Sequence, residues 1–171
     1  EKRDFFRRAQ HCYGRSALLL SGSGSFLFFH VGVVKALWDE GVLPNILAGS
    51  SGGSIVAAVV CTRKDGDVGG FLESDKLANP ARDPELKRLA PDEVRERLAE
   101  LIPDLTFQEA YEISGRHLNV SVAPAEKYQN GRLLNAITAP NVLIRGAVLA
   151  SCAAPGVFPP VMLMARDESG A

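Results

Sequence analysis

Residues 45–58 read NILAGSSGGSIVAA, with three serines and three glycines set between aliphatic flanks. Within them Gly49-Ser50-Ser51-Gly52-Gly53 fits the pattern G-x-S-x-G, with Ser51 at the centre. A serine that attacks a carbonyl carbon must stand on a sharp strand-to-helix turn, where its hydroxyl is exposed. Such a turn crowds its neighbours, so the flanking positions are glycine or very small. Ser51 is therefore the candidate nucleophile, and Gly49, Ser50, Gly52 and Gly53 are the candidate elbow. A helix that begins right after the serine points free N–H groups and its positive end at it, which favours the negative charge of acyl transfer. The competing reading is a glycine-rich turn that only packs a strand on a helix. Ser50 and Ser54 suit that reading, Ser54 as a small polar residue in the first helical turn.

A second glycine-containing loop, Ser21-Gly22-Ser23-Gly24-Ser25, lies some thirty residues upstream in LLLSGSGSFLFFHVGVVKAL. It too leaves an apolar run and enters a helical pattern. Two such loops at one edge of a parallel sheet face each other. One then carries the nucleophile, and Gly22, Ser23, Gly24 and Ser25 offer backbone N–H donors to an oxyanion.

A serine nucleophile needs a base. The one Asp-Gly pair, Asp65-Gly66, lies fourteen residues past Ser51 at the far end of the intervening helix, on the order of 20 Å away at about 1.5 Å per residue. Asp167-Glu168-Ser169 offers no Asp-Gly pattern. A Ser–His–Asp hydrolase in the order serine, acid, histidine would have to use His117, which is the only histidine after Ser51 and opens a middle strand. A dinucleotide site at Gly22-Ser23-Gly24 is weaker. Leu27 replaces the third glycine, and the second strand ends without an acidic residue for a ribose. His11, His30 and His117 do not cluster, so no metal is expected. Cys12, Cys61 and Cys152 are odd in number and far apart, and read as reduced thiols of a cytosolic-type compartment.

The elements that would position these residues follow from periodicity. Residues 1–11 form a helix with Phe5, Phe6 and Ala9 on one face, and 17–20 a short buried strand. A helix over 26–40 has Gly41 as its C-cap. A strand over 46–48 and a helix over 52–62 complete a βαβα unit with a parallel strand pair. Residues 64–104 turn charged and proline-rich, with helices near 68–71 and 91–101, and suggest a cap or insertion. Thr106-Phe107-Gln108-Glu109 is a capping box that starts a helix running to about Ile113. The alternating LNVSV places a strand over 117–122. A helix over 141–153 is stopped by Pro155-Gly156, and 161–164 reads as a final strand. Gly156 and Phe158 either line a wall near the site or form a plain turn.

With 171 residues, 46% of them hydrophobic and 23% charged, the chain can bury one core. The division expected is an N-terminal helical flank, 1–16, and an α/β domain, 17–171. A net charge of −1 and the lack of a basic stripe argue against nucleic acid. The N-terminal EKRDFFRRAQHCYGRS lacks the apolar core of a signal peptide, and no apolar run is long enough to span a bilayer. Both ends read as cut, so the chain is expected to be a fragment of a longer protein.

Beyond these loops, HCYGRSALLLSGSGS, HVGVVKAL, LAGSSGGSIVAAVVCTR, LTFQEAYEISGR and VLASCAAPGVFPPVMLMARD, in order over most of residues 11–167, resemble the patatin-like phospholipase family. The likeness is narrower still to its triacylglycerol lipase branch of fungi, plants and some bacteria. The resemblance implies a three-layer α/β/α domain with a mainly parallel sheet, truncated here on its C-terminal side. It implies hydrolysis of lipid acyl esters by a serine–aspartate dyad without metal or cofactor. Ser51 matches the nucleophile, Gly49 and Gly53 the elbow glycines, and Gly22 and Gly24 two oxyanion-loop glycines. Ser23 stands where the family has a third glycine and Leu27 where it has the loop's closing one, which predicts a weakened or variant oxyanion loop. The dyad aspartate, in a later Asp-Gly-Gly or Asp-Gly-Ala, would lie beyond Ala171. The substrate implied is a triacylglycerol, phospholipid or steryl ester. The implied setting is cytoplasmic, with peripheral contact at a membrane or lipid droplet. The alternative is an inactive fragment that binds a lipid surface through residues such as Phe26, Phe28 and Phe29, or binds a partner.

Overall fold

The structure, a computed structural model, describes residues 2–12, 15–24, 27–73 and 91–167. The elements are α1 (Lys2–Cys12), β1 (Ala17–Leu20), α2 (Leu27–Asp39), β2 (Ile46–Gly49), α3 (Gly52–Cys61), α4 (Asp65–Leu72), α5 (Pro91–Leu101), α6 (Phe107–Ser114), β3 (His117–Val122), β4 (Arg132–Leu134) and α7 (Ile144–Cys152). One sheet has the order β1-β2-β3-β4. The first three strands are parallel, and β4 returns antiparallel to β3. This is an α/β fold with a mainly parallel sheet, as expected.

Register explains the core. Leu18, Leu47 and Leu118 lie side by side across the sheet, and Leu20, Gly49 and Val120 form the next row on the same face. α3 packs on this face, against β1, β2 and β3. It can sit so centrally because it has almost no polar side chain: Val56, Ala57, Ala58, Val60 and Cys61 are fully buried. α6 and α7 flank it on β3, while α2 leans on α3 and α4. The opposite face is open at Leu19, which is 75% exposed, so β1, expected as a buried strand, is buried only at Leu20 because no element covers its other face there. Val68 and Leu72 of α4, and Leu98, Leu101 and Ile102 at the end of α5, belong to the same buried cluster.

Local chemistry sets the element ends. Gly41, at φ 68°, ends α2 in a Schellman turn: its N–H donates to Trp38 O and that of Val42 to Leu37 O, both at 2.9 Å. The capping box at α6 is complete. Glu109 N–H donates to Thr106 Oγ1 (3.2 Å), and Thr106 N–H donates to Glu109 Oε2 (2.7 Å).

Two expectations are corrected. α7 starts at Ile144, not at residue 141, because Val142 and Leu143 are extended and form bridges with Ala165 and Thr106. The final strand over 161–164 is absent. Pro159 and Pro160 precede that segment and lack N–H donors. Its backbone instead meets residues 141–143 at one bridge, with Leu143 N–H donating to Met164 O (2.9 Å) and Arg166 N–H to Asn141 O (3.0 Å). β4, only three residues long, was not expected from the sequence.

Candidate functional site

The parallel strands β1 and β2 end side by side at Leu20 and Gly49. The chain leaves both ends in the two glycine-containing loops, so the loops meet at one sheet edge. Ser50 N–H donates to Leu20 O at 3.1 Å and ties the second loop to the end of β1.

Ser51 stands at the N-cap of α3 with φ 49° and ψ −125°. A positive φ in a residue with a Cβ is strained, and it marks the sharp turn that a serine elbow requires. The elbow glycines are there for space. A Cβ on Gly49 would come within 2.5 Å of Ser54 N, and one on Gly53 would collide with the carbonyl of Leu20. Ser54 takes the structural role expected of it: its Oγ donates to Ser51 O at 2.6 Å.

The first loop reaches the serine. Gly22 faces it so closely that a Cβ there would lie 3.5 Å from Ser51 Cβ. Ser23 packs over the start of α3, where a Cβ on Gly52 would lie 2.5 Å from Ser23 Oγ and 3.3 Å from Leu27 Cβ. Ser23 has no positive φ, so a side chain is tolerated where the family resemblance led us to expect glycine. Its buried hydroxyl has no partner among the described residues. Gly24 does need to be glycine-like, at φ 49°. Leu27 opens α2 and is half-buried against the core. Ser25 and Phe26 lie outside the described residues.

An inventory of backbone donors shows what the site can hold. The N–H groups of Ser50, Ser51, Gly53 and Ser54 are all bonded, to Leu20 O, Ser151 Oγ, Ser50 O and Ser51 O. Among the described residues no acceptor is found for the N–H groups of Gly22, Ser23, Gly24 or Gly52. Gly22 lies against the serine, Gly52 follows it, and Ser23 and Gly24 lie against Gly52. Free N–H groups in such a cradle can hold a developing oxyanion.

Two residues at the site carried no signal in the sequence. His30, on α2, makes a 2.9 Å hydrogen bond from Nε2 to Ser21 O, the carbonyl that opens the first loop. Ser151, in the last turn of α7, accepts from Ser51 N–H at 2.9 Å and donates to Ser121 O at 2.6 Å. Its partners lie 100 and 30 residues away, so no local spacing could betray them. The adjacent Cys152 thiol lies beside the Ser51 and Ser54 side chains. Burial pushes it up to about 11, against a smaller opposing pull from those two hydroxyls. At neutral pH it is a protonated thiol and not a base.

The alternative bases fail on position. His117 is paired with Ile46 at the opposite end of the strands, about 10 Å from Gly49 at ~3.3 Å per residue, and stacks on Tyr111 at 4.6 Å. Asp65 is held by Arg116, Nη1 to Oδ1 2.6 Å. Among the described residues no hydrogen bond joins Ser51 Oγ to a carboxylate or imidazole, and no group of His, Cys, Asp and Glu could hold a metal ion. Gly156 lies in an exposed turn after α7 with φ 80°, and Phe158 N–H donates to Ala154 O within it.

The chain resembles known proteins in sequence and in fold. The profile described as Patatin-like phospholipase matches residues 18–164. A Triacylglycerol lipase of Arabidopsis thaliana is 44% identical over 99% of the chain, which corresponds to 23% of that protein. A Patatin-like phospholipase domain-containing protein of Cryptococcus neoformans is 42% identical over 99% of the chain and 21% of its own length. The chain thus spans about a fifth of the curated relatives it matches. Among solved structures, the type III effector protein ExoU matches with a TM-score of 0.53 at 19% identity, over 82% of this chain and 40% of that one. VipD from Legionella pneumophila matches with a TM-score of 0.52 at 16% identity, over 91% of this chain and 44% of that one. At such identities these two likenesses show the fold alone.

Proposed function

The chain belongs to the patatin-like phospholipase family, and we propose that it hydrolyses acyl esters of lipids with Ser51 as the nucleophile. The observation that carries this reading is the strained Ser51 backbone at the end of β2, with Gly22 packed against its Cβ. In this reading Ser51 Oγ attacks the ester carbonyl carbon and its proton passes to an aspartate outside the described residues, completing a serine–aspartate dyad. The carbonyl oxygen takes up the negative charge and is held by N–H groups of Gly22, Ser23, Gly24 and Gly52. The alcohol then leaves, carrying a proton, and water releases the fatty acid from the acyl-serine.

Relatives named as triacylglycerol lipases favour a neutral lipid as substrate. Peripheral contact with a membrane or lipid droplet is part of the proposal. Phe29 and Val33 of α2, and Val157, Met162 and Met164 after α7, are exposed apolar side chains suited to it. Among the described residues no helix is long and apolar enough to cross a membrane.

The test is fluorophosphonate labelling of the full-length protein, with the modified residue located by mass spectrometry. Labelling at Ser51, lost in Ser51→Ala, is the expected result. An unlabelled Ser51 in folded protein would instead favour a non-catalytic domain that only binds lipid or a partner.

A further inference from the structure

We infer that Ser151 is a positioning residue that holds the nucleophile elbow in its strained conformation. The inference rests on the reading of Ser51 as nucleophile. Strained backbone persists only where its surroundings over-determine it. On the carbonyl side Ser51 is fixed from within its own helix, because Ser51 O accepts from Ser54 N–H (2.8 Å) and Ser54 Oγ (2.6 Å). On the amide side the tie is Ser151 Oγ, which comes from another element.

The serine is suited to this by its chemistry and its place. A serine near the end of a helix commonly turns its hydroxyl back to a carbonyl of the preceding turn. Ser151 instead spends both functions of the hydroxyl across the site, accepting from Ser51 N–H and donating to Ser121 O. The β2–β3 ladder ends at Gly49 and Val120, so Ser121 lies one residue past it. The Ser151 hydroxyl therefore bridges the elbow and β3 beyond the point where the sheet joins them. It also consumes the one N–H that belongs to the nucleophile itself. The oxyanion is thereby left to the donors of Gly22, Ser23, Gly24 and Gly52. Ser151 touches no reacting atom and acts only through the placement of Ser51.

The test compares Ser151→Thr with Ser151→Val in the full-length protein, a pair with the same shape that differs in the hydroxyl. Ser151→Ala is the smaller companion. Threonine should keep fluorophosphonate labelling of Ser51 within about twofold of wild type. Valine and alanine should slow it by roughly tenfold to a hundredfold, the cost of a misplaced reacting atom. On an ester substrate the loss should fall on kcat with KM little changed. Backbone amide exchange in the peptide spanning Ser51 should be faster for valine than for threonine. Equal labelling of the threonine and valine variants would overturn the inference. If wild-type Ser51 does not label at all, the hydrolase reading fails, and amide exchange still decides whether Ser151 holds the elbow. If alanine does not fold, the threonine–valine pair carries the comparison.

Discussion

Gly53 has no room for a methyl group: a Cβ there would lie 2.5 Å from the Leu20 carbonyl carbon and 2.6 Å from Ser21 O, both rigid backbone atoms. Gly53→Ala should therefore push α3 away from β1 and cost about 1–3 kcal/mol of stability, and fluorophosphonate labelling of Ser51 should fall with it. Ser23 makes the opposite case. Its buried hydroxyl has no partner among the described residues, and an unpaired buried polar group costs about 1–3 kcal/mol. Ser23→Ala should leave the urea midpoint unchanged or raise it, and labelling should not fall, because the alanine keeps the backbone N–H. A large loss of labelling in Ser23→Ala would mean that the hydroxyl itself takes part. At this scale the elbow was legible because strand, glycines, serine and helix are contiguous in residues 46–61. The supposed defect at Ser23 was not a backbone one, since no left-handed conformation is needed there. Ser151 stayed hidden because its two hydrogen bonds reach backbone groups 100 and 30 residues away, and His30 because its one bond goes to a loop carbonyl that no periodicity singles out.

Between elements, the first loop is held at its start. Ser50 N–H reaches back to Leu20 O, and His30 reaches down from α2 to Ser21 O. The histidine bond needs a hydrogen on Nε2, since a carbonyl can only accept. It is an exposed bond, worth about 0.5–1.5 kcal/mol at most. His30→Ala should thus hardly move the melting temperature, yet slow Ser51 labelling several-fold, because loop donors that wander stabilise an oxyanion poorly. His30→Gln, which keeps an N–H donor, should recover part of the rate. A labelling rate unchanged in His30→Ala would show that the loop is fixed without it. Elements with strong local signals were read correctly: β1 and β3 from their apolar and alternating patterns, α5 from its period, α6 from its capping box. The misread ones depend on partners. β4 has only three residues and exists because β3 offers an edge, and 161–164 failed as a strand because the stretch it meets, 141–143, is too short to form a ladder.

Across the whole molecule, the core is built around α3, and its stability should carry a signature of the two thiols packed there. Cys61 is fully buried, and burial pushes it up to about 12, against a small lowering by nearby Arg116. Cys152 is pushed up to about 11 by burial. The reference value for both is 9.0, so the folded chain binds these protons more tightly than the unfolded chain. Below pH 9 both states are protonated and the contribution is complete. Above it the unfolded chain ionises first, and stability falls as pH rises towards 11 for Cys152 and 12 for Cys61. The slope is about 1.4 kcal/mol per pH unit for each thiol. Other groups titrate in the same range, so the useful quantity is the difference between wild type and Cys61→Ala in urea-unfolding free energy. The alanine leaves a cavity whose cost does not depend on pH. That difference should be flat from pH 7 to 9 and should shrink steadily from 9 to 11, as wild type loses what the variant never had. A difference that stays constant to pH 11 would mean that water or a neighbouring group reaches Cys61 and that the helix at the centre of the fold is less enclosed than its packing indicates.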